Sequence, residues 1–195
     1  RNQPVVIAGA FDETEFPPLH NFADFSFLRQ RCGDRPIRVK GNMCEDRDGR
    51  QVYVSDPVVE MPFSEYLDLL EEAEQNKRSP SFYMGKVPLD KELPELVEDI
   101  MSSPCSPLGK YGSCFGPNNK GVYTYFGCGR NTTSTHYDPS ENLLLVVRGT
   151  KTLQLFPPTD ADCLYPTKPP TFTSSAIPPF TWPMSMPDDL RERFP

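Results

Sequence analysis

Thr132-Thr133-Ser134-Thr135-His136-Tyr137-Asp138, with Asn142, Gly149 and Lys151 following, is the stretch on which the reading of this chain turns. In an extended strand, residues i and i+2 face the same way, so His136 and Asp138 can present an imidazole and a carboxylate side by side. Those groups are two corners of a 2-His-1-carboxylate facial triad, which holds Fe(II) and leaves positions open for a cosubstrate and dioxygen. H-x-D alone is a weak signal, because a surface histidine beside a turn aspartate is an ordinary arrangement.

The surroundings of the motif are read as strands. Residues 122–126, 143–147 and 152–156 are rich in β-branched, aromatic and aliphatic side chains and follow one another closely, which predicts antiparallel pairing. Upstream, Phe63, Tyr66, Leu67, Leu70 and Ala73 fall on one stripe and predict a helix over 64–75. A second helix is expected over 94–101, with Pro94 in its first turn and Leu96, Val97 and Ile100 on one face. A third is expected over 24–31, capped by Asp24 and closed by a left-handed Gly33. The apolar run 4–8 reads as a strand closed by Gly9, and 36–40 and 51–54 as two strands joined by an exposed loop over 45–50. From residue 157 onward 10 of 39 residues are proline, which predicts an extended loop with helix only near 188–193.

The length of 195 residues suits one domain with a substantial core and leaves no room for a second full one. Twenty Lys and Arg against 27 Asp and Glu give a net charge of −7, which argues against direct nucleic-acid binding through a broad basic face. No run of eighteen apolar residues exists and the first residues lack the apolar core of an export signal, so no membrane span is expected and the location is read as intracellular, cytoplasmic or nuclear. The six cysteines contain no C-x-x-C pair and read as scattered thiols rather than a secreted disulfide framework. Asn131-Thr132-Thr133 matches a glycosylation acceptor, which matters only in the secretory pathway. The chain begins with Arg1 and stops at Pro195 after the proline-rich stretch, so a fragment is expected.

The block His136-Tyr137-Asp138, Asn142, Gly149, Lys151 and Phe156-Pro157-Pro158 resembles the JmjC, or cupin-like, hydroxylases, particularly the branch that contains the asparaginyl hydroxylase of hypoxia-inducible factor. Pro4-Val5-Val6-Ile7, Cys163-Leu164-Tyr165-Pro166 and Glu192-Arg193-Phe194-Pro195 extend the resemblance over essentially the whole chain. It implies a mainly β fold with flanking helices, a double-stranded β-helix of the jelly-roll or cupin kind whose C-terminal half is missing. Residues 1–195 are then one incomplete domain: strands and helices over 1–102, the first barrel strands with the H-x-D motif over 103–158, and a proline-rich segment over 159–195.

The resemblance also implies Fe(II) and 2-oxoglutarate. His136 and Asp138 map onto iron ligands. Lys151, expected on a buried barrel strand, maps onto the cation that pairs with the distal carboxylate of 2-oxoglutarate; a solvated lysine at a strand start is the plainer alternative. Thr133 and Tyr83 map onto hydroxyls that bond the same carboxylate, with an ordinary half-buried strand tyrosine as the other reading of Tyr83. Asn142 maps onto a polar group near the metal-binding end of the cosubstrate, or caps a turn. The chain's other histidine, His20, lies far upstream in an expected loop and nothing places it at a metal, so the second histidine is expected beyond Pro195. The site in this chain is therefore expected to be incomplete and inactive alone.

The implied activity is dioxygenase hydroxylation of a protein or peptide side chain, consuming O2 and releasing succinate and CO2. Methyl-lysine demethylation is the alternative enzyme reading, and a non-catalytic cupin-like binding module the alternative from another class. Neither the target residue nor the oligomeric state is legible.

Overall fold

The computed structural model describes residues 3–45, 51–77, 82–112, 121–127, 131–133, 135–138, 140–166, 175–177 and 188–194, and for 42–45 and 51–57 the backbone alone. Two short helical segments open it, α1 (Pro18–Asn21) and α2 (Phe25–Cys32). The hairpin strands β1 (Pro36–Glu45) and β2 (Gln51–Pro62) lead into the long helix α3 (Phe63–Asn76). Then come β3 (Met84–Pro88), α4 (Leu89–Glu92), α5 (Pro94–Ser102) and α6 (Pro107–Tyr111). The strands β4 (Tyr123–Phe126) and β5 (Asn131–Thr132) precede a 3-10 helix (Pro158–Leu164) and a last helix α7 (Asp188–Arg193).

Strands β1 and β2 pair antiparallel from Pro36 opposite Pro62, and β5 joins β2 in parallel through Gln51 and Val52. A separate ribbon pairs β3 with β4. The two sheets touch where Lys40 and Tyr83 exchange both backbone hydrogen bonds at 2.9 Å.

The expected double-stranded β-helix is not what forms. Helices outweigh strands among the described residues, and these make a three-stranded sheet and a two-stranded ribbon with no closed barrel. The difference lies in residues 143–147 and 152–156, which run without strand pairing. Leu143, Leu144, Val146, Leu153 and Leu155 are all exposed. Strand propensity records how well a side chain packs against neighbours on a pleated surface, and among the described residues these runs pair with no strand. Residues 4–8 also form no strand, and Val5 and Val6 stand in solvent.

The helices follow the apolar periodicity. The stripe of α3 is buried through Phe63, Tyr66, Leu67, Leu70 and Ala73, and α5 starts at Pro94 and buries Leu96 and Ile100. Asp24 caps α2 by accepting from the Ser26 N–H at 2.8 Å. Gly33 follows α2 with φ −61°, not the left-handed backbone expected. A glycine stands there for space, since a Cβ would lie 2.5 Å from the Arg29 carbonyl oxygen. The proline-rich region holds the expected α7 and, unexpectedly, the 3-10 helix. The expected loop over 45–50 lies outside the described residues apart from Glu45, which ends β1.

Arginines stitch the acidic helices together. Arg29 reaches Asp68 and Glu71 of α3 at 2.7 Å, and Arg31 reaches Glu98 and Asp99 of α5 at 3.2 and 3.1 Å. Arg35 clasps Glu95. Glu92, buried at the end of α4, accepts from both the backbone N–H and Nε of Arg38. Pairs at the surface add little stability each, but they fix how α2 and β1 meet α3, α4 and α5.

Tyr66 joins this helical layer to the β3–β4 ribbon. Its buried hydroxyl donates to the Phe126 carbonyl at 2.7 Å and accepts from the Met84 N–H at 3.0 Å. Phe63 adds an edge-on contact with the Phe126 ring at 5.2 Å. Tyr66→Phe keeps the ring and orphans two backbone groups, so it should lower unfolding stability by about 1–3 kcal/mol in urea denaturation.

Candidate active site

The ribbon end held by Tyr66 carries the first candidate residue. Tyr83 precedes β3, is clamped to Lys40 through its backbone, and is buried with 9% of its surface exposed. Its ring lies between two glycines. A Cβ at Gly85 would come within 2.5 Å of the ring, and one at Gly127 within 3.0 Å of it and 2.5 Å of the Asn131 amide oxygen. Burial, together with the nearby Tyr125, pushes the Tyr83 hydroxyl from its ordinary 10.0 up to about 12.

Asn131 begins β5 behind that ring. Both its amide nitrogen and its amide oxygen are buried without a hydrogen-bond partner, and such groups cost free energy unless something pairs with them. From β5 the chain passes through Thr133, which is exposed, to His136 at a single-residue bridge. The preceding Thr135 carbonyl accepts from the Ser175 N–H at 2.7 Å. His136 is exposed, and Asp138 follows it in irregular backbone rather than in the strand expected.

Both carboxylate oxygens of Asp138 have a polar neighbour. Its Oδ1 lies 3.3 Å from the Lys86 ammonium, and its Oδ2 accepts from the Asn142 amide at 3.3 Å. Asn142 also donates to the Ser140 carbonyl at 3.1 Å, so the turn-capping role and the contact with the motif's carboxylate coexist. Lys151 is exposed rather than buried on a strand, and its ammonium sits over the Tyr125 ring, 4.7 Å from the centroid. Tyr125 thus has Lys151 on its face and Lys86 and Asp138 in electrostatic reach; partial burial raises its hydroxyl, Lys86 opposes that and Asp138 adds to it.

The structure therefore places Asp138 and Asn142 in direct contact, and links Tyr83 and Lys151 to the same ribbon through Tyr125. Sequence reading missed Lys86, Tyr125 and Asn131. Of these, Tyr125 had a signal, the alternation of Tyr123 and Tyr125 on the exposed side of β4. Lys86 had none, because it comes to Asp138 through a strand irregularity.

An imidazole and a carboxylate two residues apart suit a divalent transition metal. Among the described residues no three or more His, Cys, Asp or Glu side chains gather into a metal-binding group. His20 is exposed on α1 and joins no such group. The donor chemistry of His136 and Asp138 fits a metal at two corners of a triad, and the described residues also include the exposed Lys151 ammonium over Tyr125 and the buried Asn131 amide.

The chain belongs to the cupin-like domain family, whose pattern it matches over residues 1–195. Its sequence is 26% identical to "Jumonji C domain-containing protein 5" of Drosophila melanogaster over 84% of this chain and 38% of that protein. It is 28% identical to "Lysine-specific demethylase JMJ30" of Arabidopsis thaliana over 84% of this chain and 34% of the relative, and 27% identical to "Lysine-specific demethylase 8" of Danio rerio over 84% and 37%. The chain thus spans between a third and two fifths of the length of these relatives. They support the JmjC family and not the asparaginyl hydroxylase branch in particular. No helix among the described residues is long and apolar enough to cross a membrane.

The raised Tyr83 hydroxyl has a defined pH consequence. The unfolded tyrosine loses its proton near its ordinary 10.0 and the folded one only near 12, so the stability it contributes is complete below pH 10 and drains away as pH rises through 12. Relative to Tyr83→Phe, the parent should lose urea stability across that interval, and its 295 nm titration should contain a late-ionising component that Tyr83→Phe lacks.

Proposed function

We propose that the protein carrying this chain is an Fe(II)- and 2-oxoglutarate-dependent oxygenase acting on protein side chains. The observation that carries the reading is Asp138, two residues after His136 and fixed by Asn142, within the family's H-x-D block. When bound, iron would supply the site at which O2 is reduced by 2-oxoglutarate, one oxygen atom going to the hydroxylated C–H bond and the other to succinate as CO2 is lost.

The chain's own residues do the holding. His136 and Asp138 would donate to the metal, leaving the third donor to a histidine outside this chain. Asn142 orients the Asp138 carboxylate through Oδ2. Lys151 would meet the distal carboxylate of 2-oxoglutarate, leaving the Tyr125 face, with Thr133 and Tyr83 donating hydroxyl hydrogen bonds to the same group. Tyr83 suits that task because its hydroxyl keeps its proton throughout the physiological range. An exposed Lys151 pairs in wetter surroundings than a buried one, so its loss costs less than a buried pair would.

Between stable hydroxylation and demethylation, the relatives favour demethylation, since two of them carry lysine-specific demethylase in their names. Hydroxylation of an N-methyl group gives a hydroxymethyl amine that releases formaldehyde, so both outcomes use the same site. Incubating the whole protein with Fe(II), 2-oxoglutarate and methyl-lysine peptides separates them. Formaldehyde with a peptide mass lower by one methylene identifies demethylation, and a peptide heavier by one oxygen identifies stable hydroxylation. Absence of succinate above that formed without enzyme overturns the oxygenase reading.

Two variants test the residue roles. Asp138→Ala should abolish substrate-coupled succinate formation and weaken Mn(II) binding, while His20→Ala should leave metal binding unchanged. Lys151→Met should raise the 2-oxoglutarate requirement about tenfold, the equivalent of about 1.4 kcal/mol, with metal affinity nearly constant.

A further inference from the structure

The register of the β3–β4 ribbon breaks at one place. Met84 stands opposite Phe126 and Val87 opposite Thr124, so Gly85 and Lys86 together face Tyr125 alone. Lys86 holds φ +55° there, left-handed backbone that an L-residue with a Cβ enters only under constraint. Strict alternation from the buried Met84 would turn position 86 toward the core. Instead Lys86 is the exposed residue between buried Gly85 and Val87. A bulge re-aims a side chain in just this way, and the side chain it re-aims ends on Asp138 Oδ1.

Asp138 therefore has both oxygens engaged, Oδ2 by a neutral amide and Oδ1 by a full positive charge. A neutral amide tolerates a metal on the same carboxylate. An ammonium does not, because two cations at one oxygen repel each other. Lys151, the other lysine of the cluster, is drawn to the Tyr125 face, so the two lysines have separate places.

We propose that Lys86 is a positioning residue for Asp138 that competes with a divalent cation for its carboxylate, and so sets how tightly the site takes metal. The inference rests on the reading of Asp138 as a metal ligand. Its second consequence is that a bound metal releases the Lys86 ammonium at the rim of the site, where it faces whatever substrate approaches.

The experiment is Mn(II) titration of the whole protein without 2-oxoglutarate, following the electron paramagnetic resonance signal of free Mn(II). Lys86→Met and Lys86→Gly should each bind Mn(II) about two- to fivefold more tightly than the parent at low salt, with the difference shrinking as salt rises. The glycine variant suits the left-handed backbone and so keeps the measurement possible if the methionine variant misfolds. Lys86→Arg should restore parental affinity, and Lys91→Met, which removes an exposed charge on α4, should not change it. Equal affinity in parent, methionine and glycine variants, or an equal gain in Lys91→Met, overturns the inference and leaves the oxygenase reading standing. Failure of the parent and of every variant to bind Mn(II) overturns the metal reading, and the inference with it.

Discussion

The Tyr66 hydroxyl is the contact on which the arrangement of this molecule depends. It bonds to backbone on each strand of the β3–β4 ribbon, at the Met84–Phe126 pair. Two strands alone are marginal in water, and this ribbon is stable because one end is anchored to a helix whose apolar stripe is wholly buried. The anchored end is also the one next to Tyr83, Gly127 and Asn131. A helical core residue thereby sets the place of the groups that would meet a cosubstrate, although it touches none of their reacting atoms.

The helical layer that presents Tyr66 is held in turn by charge. Helices α3 and α5 are acidic, and Arg29, Arg31 and Arg35 lie between or beside them. Without those guanidinium groups the two helices would repel each other across α2. The net negative charge of the chain is therefore consistent with a compact helical half, because the excess is neutralised locally where helices meet. In the H-x-D region the described ion pair is the single, longer contact of Lys86 with Asp138 at 3.3 Å. Asp138 has two contacts near the outer limit of hydrogen-bond distance, which suits a carboxylate that has to change partners.

What was legible in the sequence follows from which interactions are local. The α3 and α5 stripes could be read because a 3.6-residue period needs only one buried face, and Asp24 because a cap bonds two residues away. Residues 143–147 and 152–156 were misread as strands because a strand is completed by a partner elsewhere. Gly33 was assigned to the right place for the wrong reason, since crowding by Arg29 rather than a left-handed backbone selects glycine there. In the site, the motif named Asp138 and Asn142, which the fold brings into contact. It could not name Lys86, because a bulge depends on how two strands slip past each other. Nor could it show that Lys151 is exposed, which depends on the unpaired state of its neighbours.

Tyr83, Gly85 and Gly127 form a single unit of volume. Neither glycine needs an unusual backbone angle for its role; the Tyr83 ring occupies the space a side chain would take at 85, and that ring together with the Asn131 amide oxygen occupies it at 127. Sequence variation at these positions is therefore coupled. A larger residue at position 85 demands a smaller one at 83, whereas position 127 is also closed by the Asn131 amide oxygen, so filling it requires a change at 131 as well. The joint pattern of positions 83, 85, 127 and 131 in related sequences therefore reports whether the buried aromatic ring is still being kept next to the β3–β4 ribbon.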